Sequence, residues 1–373
     1  MHKRKSERAE LRRILMNGAS IQMFAPRRIG KTWLMRHLAE DLRKEGWTTI
    51  LIDVEGMRGE DEILRALCRK IEEATEATDR VRTHLVQRLK QLLTDGWQGS
   101  PLQAIGKIDF ASFSEALIAA LDHNGGNTVI MVDEIALFVA ARIAEDPKAA
   151  HAFLYQLRRL RQDYPKVRWL FTGSIGLDVV ARRGGLLGAL VDLKPFVLEP
   201  FDDAAARSYL GWLCERNDVP TPFTLDDAAF IFLKEELGWL APFYLQSVAD
   251  RIRPSGPGAQ ATRADIERAF VDLLRPEFRV LFSPFEEHID KNFPKPEARR
   301  LRVLLDGCCE QAEGEAKDTL FARLAAVEPE VEAPALADAL TALANAGILI
   351  EANGRWRFRS GLVRRYWRKY HCL

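Results

Sequence analysis

Ala25-Pro26-Arg27-Arg28-Ile29-Gly30-Lys31-Thr32 stands between a short apolar run, Ile21-Gln22-Met23-Phe24, and a stretch of helical periodicity over 32–45 that stops near Gly46. A strand that passes into a helix through a Gly-Lys-Thr corner is the setting a phosphate loop requires. Backbone N–H groups and the helix N-terminus can surround an anion there, the Lys31 ammonium neutralises its outer charges, and the Thr32 hydroxyl is placed to ligate Mg²⁺. The strict pattern G-x-x-x-x-G-K-[ST] is broken at its first position by Ala25, and Pro26 biases that residue to extended backbone. The candidate binding set is the whole loop, Ala25, Pro26, Arg27, Arg28, Ile29, Gly30, Lys31 and Thr32, with Trp33 after it.

Outward from this loop the chain alternates strand and helix. Residues 48–54 (TTILIDV) and 128–132 (TVIMV) are continuous β-branched runs of the kind buried on both faces of a parallel sheet. Further strands are expected over 167–172 and 196–198, with helices over 60–74, 79–93, 112–122 and 148–164. A polar, Gly-rich insertion covers 96–107, and Asn124-Gly125-Gly126-Asn127 is a turn. The alternation predicts an α/β fold with a parallel sheet and helices on both faces. After Pro200 the pattern turns helical, over 202–217, 225–237 and 241–252. Pro254-Ser255-Gly256-Pro257-Gly258 reads as a linker. Near the end, residues 347–358 read as a β-hairpin turning at Asn353-Gly354. Helices followed by such a hairpin suggest a winged helix.

Composition sets bounds on function. The 373 residues suffice for two or three domains of about 150 residues each. The chain is 47% hydrophobic and 29% charged, as expected of a globular protein, and no apolar run reaches the length of a membrane span. A basic amphipathic stretch runs from Lys5 to Met16, and the basic start, Lys3 to Arg13, is interrupted by Glu7 and Glu10 at helical spacing, so it reads as a solvated helix face and not a signal peptide; a cytoplasmic location is expected. The five cysteines lack metal-ligand spacing and read as reduced thiols. A net charge of +1 gives no global field for nucleic acid or membrane. Its distribution is uneven, because residues 265–351 are acidic on balance and no acid follows Glu351, where Arg355, Arg357 and Arg359 begin a basic tail.

A second cluster makes the loop more than a local match. Asp133-Glu134 closes a buried strand, where an acid reaches the crevice in which such sheets bind ligands. Asp133 is expected to hold Mg²⁺ and Glu134 to orient and polarise an attacking water, so the expected ligand is ATP with Mg²⁺. Phe171-Thr172-Gly173-Ser174 ends the next strand, and the hydroxyls of Thr172 and Ser174 are candidates for meeting the γ-phosphate or the water. Arg182 and Arg183, before a Gly-Gly turn, are candidates for an arginine finger offered to a neighbouring molecule.

Together, A-P-R-R-I-G-K-T, the V-D-E strand end, the F-T-G-S-I-G-L segment and Leu237-Gly238-Trp239-Leu240-Ala241-Pro242-Phe243-Tyr244-Leu245-Gln246 resemble the archaeal-type ATPases. This is a group of additional-strand (ASCE-type) P-loop NTPases, among the signal-transduction (STAND) NTPases related to AAA+ and origin-recognition proteins. The resemblance extends to the chain end, where Phe358-Arg359-Ser360, Leu362, Arg364, Tyr366 and Trp367 look like that group's winged-helix finish. It implies that Arg27 and Arg28 are the loop's basic residues and that Pro242 is the lid proline packing on adenine, although Gly238 lies four residues before it instead of two.

The expected architecture is a P-loop core over 1–200, a helical lid over 201–253, a linker over 254–264 and a winged-helix domain over 265–373, with ATP closed between core and lid. The expected role is an ATP-hydrolysing regulatory switch whose lid and winged helix contact a protein partner or a second copy. The alternative is a DNA-binding or DNA-loading ATPase using Arg355, Arg357 and Arg359, which alternate along the hairpin and so share a face. A small-molecule kinase is a third reading, opposed by Glu134, whose position suits activation of water. The aromatics Tyr366, Trp367 and Tyr370 are expected to be core or interface anchors.

Overall fold

A computed structural model describes residues 4–73, 78–93, 99–214 and 222–372. The chain forms two compact units, each described by itself. One comprises the described residues up to Ala25 together with Lys31–Leu198; the other comprises Pro26–Gly30 and the chain from Glu199 onward.

The first unit is built on five parallel strands: β1 (Ile21–Phe24), β2 (Thr48–Asp53), β3 (Thr128–Asp133), β4 (Val167–Gly173) and β5 (Lys194–Val197), in the order β2-β3-β4-β1-β5. Every residue of β3 is buried, which is why TVIMVD shows no alternation in sequence. Ile130 stands in register with Ile50 of β2 and Trp169 of β4, and the side chains of Ile50, Ile52, Val132 and Phe171 join one continuous core with the flanking helices. Burying each such side chain contributes roughly 1.5–3 kcal/mol, so this layer holds the strand ends that carry the polar residues. Helices run over Lys5–Met16, Lys31–Lys44, Glu60–Glu73, Thr78–Leu92, Phe110–His123 and Pro147–Asp163, each within two residues of expectation. The Gly-rich insertion contains a short helix, Pro101–Ala104; its residues 96–98, like residue 74 of an expected helix, lie outside the described residues.

Two further helices, Ile135–Glu145 and Leu177–Arg183, were not expected. The first buries Ile135, Ala136, Phe138 and Val139 and carries few polar residues to mark a solvent face, so no 3.6-residue rhythm betrays it. Asp146 separates it from the next helix by accepting from the N–H groups of Lys148 and Ala149 at 3.0 and 3.1 Å.

The second unit holds helices Asp203–Cys214, Asp227–Leu237, Pro242–Ala249, Arg263–Leu273, Ser283–Asn292, Lys295–Cys309, Lys317–Val327, Ala333–Asn345 and Gly361–Tyr370. Residues 215–217 of the expected helix over 202–217 lie outside the described residues. Strands β6 (Thr224–Leu225) and β7 (Gln260–Ala261) pair in parallel, and β8 (Glu315–Ala316), β9 (Leu349–Ala352) and β10 (Arg355–Phe358) form a sheet in the order β8-β10-β9. Asn353 and Gly354 turn the β9-β10 hairpin with φ of 54° and 74°, as the Asn-Gly signal requires. Tyr366 and Trp367 are buried, and the Trp367 indole donates to Asp306 at 2.7 Å. The Pro254–Gly258 stretch is tied down: the Asp265 carboxylate accepts from the backbone and hydroxyl of Ser255, each at 3.1 Å, and from those of Thr262 at 2.7 and 2.8 Å. The described cysteines are all free thiols, and burial pushes that of Cys308 up to about 12.

Candidate functional site

Two strand ends, separated in space by β4, deliver the site of the first unit. β1 leads toward the helix that begins at Lys31, and β3 ends on Asp133. The Lys31 ammonium lies 3.2 Å from Asp133 Oδ1 and donates to Glu134 Oε1. The Thr32 hydroxyl donates to Asp133 Oδ2 at 2.9 Å. From the end of β4, Ser174 donates to Glu134 Oε2 twice, through its N–H at 2.7 Å and its hydroxyl at 2.8 Å. Lys31, Thr32, Asp133, Glu134 and Ser174 thus form one cluster from three segments far apart in sequence.

The backbone aims these groups. Glu134 is left-handed, with φ of 57°, an uncommon conformation for a non-glycine residue that places it between the strand and the Ile135–Glu145 helix. Its side chain is only narrowly exposed; Asp133 and Glu134 are 4% and 6% exposed, and Ser174 is fully buried. Burial works against the Glu134 carboxylate, yet the Lys31 ammonium and the two Ser174 donors outweigh it and hold its pKa below the usual range.

Thr172 is also buried, but its hydroxyl oxygen has no hydrogen-bond partner, in contrast to that of Ser174. Asp53 joins the cluster's surroundings without having been singled out in the sequence. It stands in register beside Asp133, and its carboxyl is pushed up by partial burial and by Asp133 and Glu134. The available signal was the acid at the end of TTILID, the same signature that marked β3. Trp33 stacks on His37 with ring centroids 3.8 Å apart, and Ala25 is buried. Arg182 and Arg183 project from the last turn of the Leu177–Arg183 helix, both exposed.

In the second unit, Pro26–Gly30 is shaped by two positive φ angles, 71° at Arg28 and 92° at Gly30. The Arg28 guanidinium lies over the Phe243 ring at 4.1 Å and faces that of Phe285 at 4.8 Å, and burial lowers its pKa. Ile29 is buried. Pro242 opens the Pro242–Ala249 helix, and its Cγ lies 3.8 Å from where a Cβ on Gly30 would stand. Pro242 and the loop are therefore neighbours within this unit.

The three C-terminal arginines part company. Arg355 is exposed on β10 and donates to the Gly314 carbonyl at 3.1 Å, and Arg357 is half-buried on the same strand. Arg359 corrects the shared-face expectation: it falls beyond the strand's end, donates to the Leu349 carbonyl at 3.3 Å and faces the Trp239 ring at 5.7 Å. Strand alternation ends at Phe358, so it does not set the direction of Arg359.

The profile of the AAA domain matches residues 15–180, the stretch that contains Lys31, Thr32, Asp133, Glu134, Thr172 and Ser174. No curated protein matches the chain. Among solved structures, a Walker-type ATPase of Pyrococcus abyssi is similar with a TM-score of 0.67 and 17% identity, over 99% of this chain and 96% of that one. The ORC2 protein of Aeropyrum pernix, solved in ADPNP and ADP complexes, is similar with a TM-score of 0.56 and 14% identity, over 97% of this chain and 91% of that one. At these identities the likeness is one of fold, and the fold is that of a P-loop ATPase with helical regions following the parallel sheet. Among the described residues no helix is long and apolar enough to cross a membrane.

Proposed function

We propose that this chain binds ATP with Mg²⁺ and hydrolyses it as a regulatory switch of the signal-transduction type related to AAA+ proteins. One observation carries the reading: the Lys31 ammonium, 3.2 Å from Asp133, and the Thr32 hydroxyl, 2.9 Å from it, meet an acid from a different strand at one edge of the sheet. A basic side chain and a hydroxyl gathered on an acid pair fit the terminal phosphates and a metal ion.

The donor set suits magnesium. Thr32 Oγ1 and Asp133 Oδ2 are neighbouring hard oxygens, and no group of three or more acidic, His or Cys side chains that could cage a metal is present among the described residues. Magnesium is commonly held by one or two carboxylates, with water and substrate phosphate completing its shell. MgATP, when bound, supplies the γ-phosphoryl group and neutralises charge developing on it. In this chain Lys31 exchanges Glu134 for the phosphates, Thr32 and Asp133 face the metal, and the released Glu134 carboxylate orients a water for in-line attack. Ser174 holds the second oxygen of Glu134 meanwhile, and Thr172 offers its unpaired hydroxyl to the phosphate or the water. Pro242 packs on the base, and Arg182 or Arg183 completes the site of a neighbouring molecule.

The chain from 201 to 253 acts as the lid and that from 265 onward as a winged helix, with a partner protein or second copy receiving the signal. The alternative, a DNA-loading ATPase, is supported by exposed Arg355 on the β9-β10 hairpin; Arg359, engaged with Leu349 and Trp239, contributes least to it. The test is phosphate release from ATP, measured with and without duplex DNA. Turnover is expected without any added acceptor and is expected to fall about a hundredfold or more in Lys31→Ala. Wild-type turnover equal to that of Lys31→Ala would sink the hydrolytic reading, and turnover only with a small-molecule acceptor would make it a kinase.

A further inference from the structure

The two edges of the five-stranded sheet are built differently. β5 carries Lys194 and Pro195, both exposed, and lysine and proline are common guards against pairing at a sheet edge. β2, at the opposite edge, reads Thr48-Thr49-Ile50-Leu51-Ile52-Asp53 and carries neither. Its even-numbered residues bond to β3: the strand opens with Thr48 N–H donating to the Asn127 carbonyl at 3.0 Å, and Val54 N–H donates to that of Asp133 at 3.1 Å. Bonding sides alternate along a parallel strand, so the N–H and C=O groups of Thr49, Leu51 and Asp53 face away from β3. None of these three has a backbone partner among the described residues.

This open edge lies in a cleft of about 1130 Å³, flanked by the Lys31–Lys44 and Glu60–Glu73 helices. Thr49 lines the cleft, is only 6% exposed, and has a hydroxyl oxygen without a hydrogen-bond partner. A buried polar group left unmatched costs stability, and a polar occupant would remove that cost. The cleft's flanks are basic, while the acids Asp53 and Asp133 sit at the carboxyl end of the strands. Arg36 and Arg43 stand on one side and Arg69 on the other, none in an ion pair among the described residues, whereas Lys70 is neutralised by Glu73.

We propose that the β2 edge is a docking slot for an extended acidic segment of a partner protein, which joins the sheet as a sixth strand. Main-chain bonds to Thr49, Leu51 and Asp53 supply the pairing, and carboxylates at alternate positions, which share one face of the added strand, meet the arginines of one flank. A second copy of this chain is the poorer occupant, because two-fold pairing of β2 with itself would set like-charged flanks against each other. Thr32 and Asp133 line the cleft as well, so an occupant would adjoin the metal-facing residues.

The probe is a fluorescent peptide of alternating threonine and glutamate, as long as the six residues of β2. It is expected to bind wild-type protein and to slow hydrogen exchange at Thr49, Leu51 and Asp53, while Ile50 and Ile52, already bonded to β3, change little. Leu51→Pro removes one outward donor without touching the β3 ladder, and the double change Arg36→Glu with Arg69→Glu reverses the flanks; each should weaken binding about tenfold or more. A peptide N-methylated at alternate residues should fail on wild-type protein, which keeps the test decisive if Leu51→Pro does not fold. Full binding of the N-methylated peptide, no binding of the plain one, or oligothymidylate binding more tightly than the peptide with the same amides unprotected would each overturn the proposal, the last in favour of a nucleic-acid surface.

Discussion

The carboxylates of Glu134 and Asp265 are both buried and both held below their usual pKa, but by different kinds of partner. Around Asp265 the donors are Thr262, Ser255 and Arg268, all within ten residues of it in sequence. Around Glu134 they are Lys31 and Ser174, 103 and 40 residues away. The first set is a local cap that forms with the Arg263–Leu273 helix and has no competitor. The second depends on the tertiary fold, and its cation is the side chain an incoming anion would also claim. Locally satisfied acids hold structure; an acid satisfied by a remote and exchangeable cation stores a group for later use.

Substitutions can break this contrast. The largest effect is expected from Glu134→Gln, which retains the Ser174 acceptor but gives up the charge: phosphate release should fall about a hundredfold while nucleotide binding persists. Single-turnover phosphate release beside a nucleotide titration checks it, and unchanged release would make Glu134 as structural as Asp265. Next in size, Asp265→Asn should cost about 2 kcal/mol of stability, read as a lower urea midpoint at neutral pH, with turnover per folded molecule unchanged. The sign follows from the lowered pKa, about 2 in the folded chain against 3.8 ordinarily: this stabilisation is complete above that ordinary value and disappears as pH falls toward 2. Loss of wild-type stability near pH 6 would require another group.

The smallest effect sharpens the comparison from within the site. Thr172→Val removes a buried hydroxyl that has no hydrogen-bond partner among the described residues, so stability should hold or rise by about 1 kcal/mol. Turnover should nonetheless fall about tenfold if that hydroxyl meets the phosphate. A stability loss without any change in turnover would reassign Thr172 to packing alone.

Much of the sheet was legible in the chain. TTILID and TVIMVD are apolar enough to be parallel strands wherever they sit, and Gly30-Lys31-Thr32 marks its corner through chemistry that few other turns need. The Ile135–Glu145 helix was hidden because burial removes the polar face on which periodicity depends. Strand β8, with only two residues, carries no pattern at all; it is a strand because β10 pairs with it. Arg359 looked like the third member of an alternating row until the strand proved to end one residue earlier.

Residue identity alone therefore settled the types of most elements and the acids and cation worth watching, because periodicity and turn chemistry act over a few neighbouring residues. The convergence of Lys31, Asp133, Glu134 and Ser174, the solitude of the Thr172 hydroxyl and the unguarded side of β2 were decided by strand order and register. Those are set by packing between segments a hundred residues apart, a distance over which no local preference reaches.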